Sequence, residues 1–178
     1  MGGGARESVT GQVSASVRVD RARGADVPAI VDIERQSFTD PWSERSFRDL
    51  LAHPRIFFAC ARSLDHDGRS SVERVVGYVV AWFAAGEGEI ANLAVAPDAR
   101  GLRIGARLLE AALEESRRVG TLDMFLEVRS TNVRARQLYE SHGFVEVGRR
   151  KNYYRRPTED AVILRRSEGV AVQPKSEV

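Results

Sequence analysis

The strongest constraint on this chain lies between residues 89 and 128, where two apolar strand-like runs are joined by a glycine-containing turn and a long amphipathic helix. Ile104, Leu108, Leu109, Ala112 and Leu113 fall on one face of a helix from Ile104 to Arg118, and Gly120 follows as a stop signal. Glu89–Val95 before it and Leu122–Val128 after it have the composition of strands. A connection that long permits the two strands to run parallel, as a crossover unit.

The flanks carry more strands than helices. Ser14–Asp20 alternates like a first strand, and Pro28–Phe38 and Ser43–Leu51 read as two helices, the second with Ser43 as N-cap. Arg55–Ala61 and Val72–Phe83 read as strands around a turn signal at Asp65-His66-Asp67-Gly68. Asn132 caps a helix that ends at His142-Gly143, and Phe144–Gly148 and Ala161–Leu164 are the last strands. The order predicts an α/β (α+β) fold with a mixed, mostly antiparallel sheet of about seven strands and about four helices. Residues 1–13 and 167–178 read as flexible tails around one domain at 14–166.

Composition narrows the function. A length of 178 residues, 43% hydrophobic and 29% charged, suits one globular domain. The net charge of +2 is spread along the chain, which argues against nucleic acid, and the densest cluster, Arg149-Arg150-Lys151, reads as a solvated strand end. One cysteine, Cys60, excludes an internal disulfide, fits a cytoplasmic protein and lies in an apolar run as a structural thiol. Three scattered histidines match no metal spacing, and the longest apolar run, Val75–Gly86, is too short for a membrane span.

Three features carry possible chemistry, each with a plain structural alternative. The turn Ala96–Ala106 feeds a helix N-terminus, where backbone N–H groups and the dipole favour an anion, although an ordinary strand-to-helix link has the same form. Glu127 ends an otherwise apolar strand, where open α/β sheets bind ligands, or it is a strand acid paired with Arg129 or Arg149. Tyr139, on the helix begun by Asn132, reads on its own more commonly as a core tyrosine whose hydroxyl finds a surface partner.

Together these parts resemble a known family. Ile90–Pro97, Arg100-Gly101-Leu102-Arg103-Ile104-Gly105, Leu126–Asn132, Ala135 and Leu138–Phe144 look like the core of the GNAT acetyltransferases. Phe38, Pro41-Trp42-Ser43, Asn152-Tyr153-Tyr154 and Glu159-Asp160-Ala161 resemble the ribosomal-protein-alanine N-acetyltransferases (RimI type) within it. The resemblance spans residues 28 to 165. It implies acetyl-CoA as co-substrate, held by Leu93, Ala94 and Val95 on the fourth strand, by Arg100, Gly101, Leu102, Arg103, Ile104, Gly105 and Ala106 in the turn, and by Asn132. It implies Glu127 as general base and Tyr139 as general acid. Phe38, Trp42, Asn92 and Tyr153 fall to the acceptor, a protein N-terminus such as that of a ribosomal protein. An acetyltransferase for a small amine, or a weakly catalytic acyl-CoA-binding protein, are the rival readings. The sequence departs from the family pattern Arg/Gln-x-x-Gly-x-Gly/Ala at Arg103, which stands where the first glycine is expected.

Overall fold

The computed structural model describes residues 16–66 and 71–168. Seven strands, β1 (Ser16–Arg21), β2 (Ile56–His66), β3 (Ser71–Ala84), β4 (Glu87–Val95), β5 (Asp123–Arg129), β6 (Val145–Arg155) and β7 (Thr158–Ser167), are interleaved with four α-helices, α1 (Val27–Ser37), α2 (Glu44–Leu51), α3 (Ile104–Val119) and α4 (Val133–Ser141). The element types and order are those expected. The main differences are in length: β2, β6 and β7 all run further, and β7 reaches Ser167. Part of the expected turn at 65–68, and almost all of both expected tails, lie outside the described residues.

The strands form one sheet in the order β1-β2-β3-β4-β5-β7-β6. Only β4 and β5 are parallel, and α3 makes the crossover between them. Their pairing is short. It runs from Glu87 opposite Asp123 to Ile90 opposite Leu126 and then stops, although β4 continues to Val95 and β5 to Arg129. The cause is local. Val80 pairs with Asn92 but Ala81 with Ile90, so Ala91 is an extra residue that bends β4 away. Beyond Ile90 the strand keeps its ladder with β3 and leaves its other edge open.

The helices cover both faces. Tyr78 on β3 meets the α1–α2 side through Glu34 and Phe47, while neighbouring Gly77 faces α3. A Cβ on Gly77 would lie 2.9 Å from the Ala94 carbonyl oxygen and 3.0 Å from Leu108 Cδ1, so glycine lets α3 sit tightly behind β4. The apolar stripe of α3 is buried as its spacing predicts, with Leu108 and Leu109 fully enclosed. Cys60 is also enclosed, and burial pushes its thiol up to about 12, so it stays protonated.

Local caps agree with the sequence. Ser43 Oγ accepts from the Ser46 N–H and Asn132 Oδ1 from the Ala135 N–H. Gly120 closes α3 at φ 77°. No helix among the described residues is long and apolar enough to cross a membrane, and they contain no cluster of three metal-ligating side chains.

Candidate active site

A cleft of about 580 Å³ lies between the end of β4, the turn into α3 and α4. Leu93, Ala94 and Val95 form one wall, Arg100, Gly101, Arg103, Ile104, Gly105 and Ala106 the floor, and Asn132, Ala135 and Leu138 the opposite wall. Of the residues expected at the coenzyme, Leu102 alone lies outside this lining; its side chain is exposed. Ser37 and Phe38, at the end of α1, close one rim.

The floor is built to receive an anion. The first backbone bond of α3 runs from the Arg107 N–H to the Arg103 carbonyl, so the Ile104, Gly105 and Ala106 N–H groups have no intrahelical acceptor. Gly101 takes φ 89° to turn the chain into this floor. Arg100 is committed elsewhere, with Nε donating to the Val95 carbonyl and Nη2 to Ser37 Oγ. Arg103 and Arg134 also line the cleft, and neither has a side-chain hydrogen bond or ion pair among the described residues.

Arg103 shows how the motif departure is accommodated. It is the N-cap of α3 at φ 59°, ψ 14°, a left-handed conformation that glycine adopts freely. A side chain there costs roughly 1–2 kcal/mol. The backbone has kept the shape a glycine gives, and the chain has gained a cation at the cleft.

Glu127 and Tyr139 do not line the cleft itself. Glu127 is on β5 just past the last residue paired with β4. Its Oε1 accepts from Arg150 Nη1 at 2.7 Å, and its carboxylate raises the nearby Tyr153 phenol. The partner is thus Arg150, rather than Arg129 or Arg149. Glu89, on the same face one strand away, has its carboxyl raised by burial and then by the Glu127 charge. Tyr139 projects from α4 on the other side of the sheet, its ring packed edge-on to Phe144 at 5.9 Å. The ring is buried, and burial pushes the phenol up to about 12. Its hydroxyl has no partner among the described residues.

Glu127 and Tyr139 do not touch. Tyr154 lies between their fields: it raises the Tyr139 phenol, and Glu127 helps raise Tyr154 to about 12, after burial.

The expected acceptor residues spread over the α1–α2 loop, β4 and β6. Phe38 is 37% exposed at the cleft rim and Tyr153 is 42% exposed under the Arg150 guanidinium, 4.2 Å from the ring centre. Trp42 instead packs on Phe47 at 5.7 Å and belongs to the edge of the core. Asn92 donates to Glu34. Arg129 ties this region together: it reaches Thr39 Oγ1, Glu159 and the Arg156 carbonyl, and stacks on Tyr154 at 4.1 Å.

Sequence reasoning did not pick out Glu34, Arg150, Arg129 or Arg134 as parts of the site. Glu34 alone left a trace, as an acid four residues after Ile30 on the buried stripe of α1.

A parallel pair splayed at a bulge, with an amide-lined helix start in the opening, defines an N-acetyltransferase fold, and the chain belongs to the acetyltransferase (GNAT) family, whose model matches residues 27–144. Within it, the chain is 34% identical over 147 residues to a putative [ribosomal protein bS18]-alanine N-acetyltransferase of Bacillus subtilis, covering 82% of this chain and 92% of that one. It is 35% identical over 151 residues to the N-alpha-acetyltransferase RimI of Mycobacterium tuberculosis, covering 82% and 89%. The crystal structure of the ribosomal-protein-S18-alanine N-acetyltransferase from Escherichia coli superposes with a TM-score of 0.74 at 28% identity, covering 89% of this chain and 99% of that one.

Proposed function

We propose that this protein transfers an acetyl group from acetyl-CoA to the N-terminal α-amine of a protein, with the alanine end of a ribosomal protein as the acceptor. The observation that carries the reading is the splayed β4–β5 seam. It offers an unpaired strand edge to a pantetheine amide and a helix N-terminus to a pyrophosphate, with Glu127 on β5 one residue past the paired segment. The named activity of relatives that align over most of their length supports the acceptor class.

The cleft fits the coenzyme on this chain's own features. Its free Ile104–Ala106 amides and the uncommitted Arg103 and Arg134 suit phosphates. Leu93–Val95 offer backbone groups to the arm, and Asn132, fixed by its cap bond to Ala135, borders it. Acetyl-CoA supplies the activated acyl thioester. No metal is required.

An α-ammonium with an ordinary pKa of about 7.7–8.0 must lose a proton before it attacks. Glu127 takes that proton, directly or through a water, with Arg150 holding the carboxylate in place. A β4 backbone N–H, at Leu93 or Val95, stabilises the developing oxyanion. Tyr139, held protonated up to about 12, keeps its proton more firmly than a thiol of about 8.5, so it acts chiefly as a hydrogen-bond donor to the departing sulfur.

The test is mass spectrometry of peptide libraries incubated with the protein and acetyl-CoA, beside a panel of small amines. Acetylation of peptide α-amines, strongest for an alanine start, is the expected result. Transfer to small amines alone, or coenzyme binding with no transfer, would reject it.

A further inference from the structure

One buried acid has no part in the chemistry above. Glu34 is 1% exposed, in the middle of α1, and among the described residues no cation pairs with it. Instead three donors converge on its carboxylate. The Trp42 N–H reaches Oε1 at 2.8 Å, the Tyr78 hydroxyl binds Oε2, and Asn92 Nδ2 lies 3.3 and 3.2 Å from the two oxygens. Burying an ionised carboxylate is costly unless hydrogen bonds replace its water. A packing role is filled more cheaply by leucine, so a carboxyl group on which three donors converge calls for an account.

The three donors come from places that matter to the site. Trp42 belongs to the α1–α2 loop, whose other end carries Phe38 at the cleft rim. Asn92 is the first residue after the Ala91 bulge, where β4 leaves β5. Tyr78 sits in β3, which faces Ala94 across the ladder. A carboxylate only accepts, so it also decides how the Asn92 amide is turned. Nδ2 must face Glu34. Oδ1, on the same planar group, must face away. That oxygen has no partner among the described residues, and Asn92 is only partly buried.

We propose that Glu34 is a positioning residue for the acceptor: it locks the Asn92 amide so that Oδ1 is presented at the seam as a hydrogen-bond acceptor for the incoming α-amine, and pins the α1–α2 loop as the facing wall. The inference rests on the acceptor being an amine bound at this seam. An amine offers N–H donors in either protonation state, so a fixed carbonyl oxygen orients it without competing for its proton with Glu127. Glutamine at 34 lacks this property. Its amide nitrogen would oppose one of the three donors, and Asn92 would be free to turn over.

Steady-state kinetics with an alanine-starting peptide and acetyl-CoA test this in wild type, Glu34→Gln, Asn92→Ala and the double variant. Wild-type activity on the peptide is checked first; its absence would reject the functional reading before any variant is compared. Asn92→Ala is expected to raise the peptide KM roughly tenfold, the scale of one lost hydrogen bond in a desolvated site, with the acetyl-CoA KM within about twofold of wild type. Glu34→Gln should do the same, and in the Asn92→Ala background it should add at most about twofold more. Asn92→Ala also stands alone if Glu34→Gln fails to fold. An unchanged peptide KM in Asn92→Ala, or both KM values rising together in Glu34→Gln, would overturn the proposal. So would a Glu34→Gln effect as large without Asn92 as with it, since Glu34 would then act by stability rather than through that amide.

Discussion

The coenzyme side and the acceptor side of the cleft are built in opposite ways. The first comes almost entirely from one continuous stretch, Leu93 to Ala106, closed by Asn132. Strand, turn and helix start follow one another, and the backbone supplies most of the binding groups. The second is assembled from α1, the α1–α2 loop, β4, β5 and β6, and side chains hold it together: Glu34 to Trp42 and Asn92, Arg129 to Thr39 and Glu159, Arg150 to Glu127. Backbone sites tolerate side-chain change, because amides survive most substitutions. Side-chain sites depend on identity. Perturbations should therefore separate the two sides cleanly.

The sharpest break should come at Glu127. Glu127→Gln keeps shape and the Arg150 contact but abolishes the base, so kcat should fall by about 10²–10⁴, the range for a positioned general base. Calorimetric titration of acetyl-CoA should give a Kd within about twofold of wild type. A lost coenzyme Kd would show that the two sides are not independent, and an unchanged kcat would remove Glu127 from the chemistry.

Tyr139→Phe comes next. Its hydroxyl has no protein partner among the described residues, so its removal leaves no group unpaired and thermal stability should hold. A fall in kcat of about tenfold or more at unchanged Tm would place the hydroxyl at the reaction, since a donated hydrogen bond of 1.4 kcal/mol is worth that factor. The pH profile adds a check. A phenol raised to about 12 stays protonated below that value, so wild-type kcat/KM should rise through the amine pKa and then stay level to pH 10. A falling limb below pH 10 would mean that another acid limits the rate.

The two sides also differed in how much the sequence disclosed. The coenzyme side was legible because its signals are local: a strand, Gly101, an amphipathic helix from Ile104, and a cap at Asn132. The acceptor side was mostly not. Glu34 and Asn92 stand 58 positions apart, and Arg129 and Thr39 stand 90 apart. No short-range pattern links them, and their pairing becomes visible only once β4 and β5 lie side by side. An aromatic at a loop, such as Trp42, reads as groove or core, and here its ring packs on Phe47. Nor did the sequence disclose that Arg103 would adopt a left-handed backbone, because its neighbours fix that conformation.

Glu159 joins the two sides and should affect both modestly. It accepts from the Thr131 N–H, Ser130 Oγ and Arg129, and these bonds, the backbone one foremost, depress its carboxyl to about 2. A depressed carboxyl stabilises the fold above its ordinary value of 4.5 and loses that contribution as pH falls toward 2. Denaturant midpoints measured between pH 5 and 2.5 should therefore decline less steeply in Glu159→Gln than in wild type. Parallel slopes would mean the carboxylate is not held as described.

The smallest effect is expected at Arg103, where the coenzyme side can be tested without touching the acceptor side. Arg103→Gly removes a left-handed side chain worth roughly 1–2 kcal/mol of strain, but glycine returns about 0.5–1 kcal/mol as backbone freedom in the unfolded chain. The net change in stability should be slightly favourable, within about 1 kcal/mol. Arg103→Ala keeps most of the strain, which outweighs the entropic cost that glycine carries, so it should be the less stable of the two. Both remove the same cation, so both should weaken acetyl-CoA by a similar factor, and that factor should shrink as salt screens the phosphates. Peptide KM should stay level in each. If Arg103→Gly instead tightens coenzyme binding at every salt concentration, the arginine is an obstruction that the fold tolerates, and the amides of Ile104 to Ala106 hold the phosphates unaided.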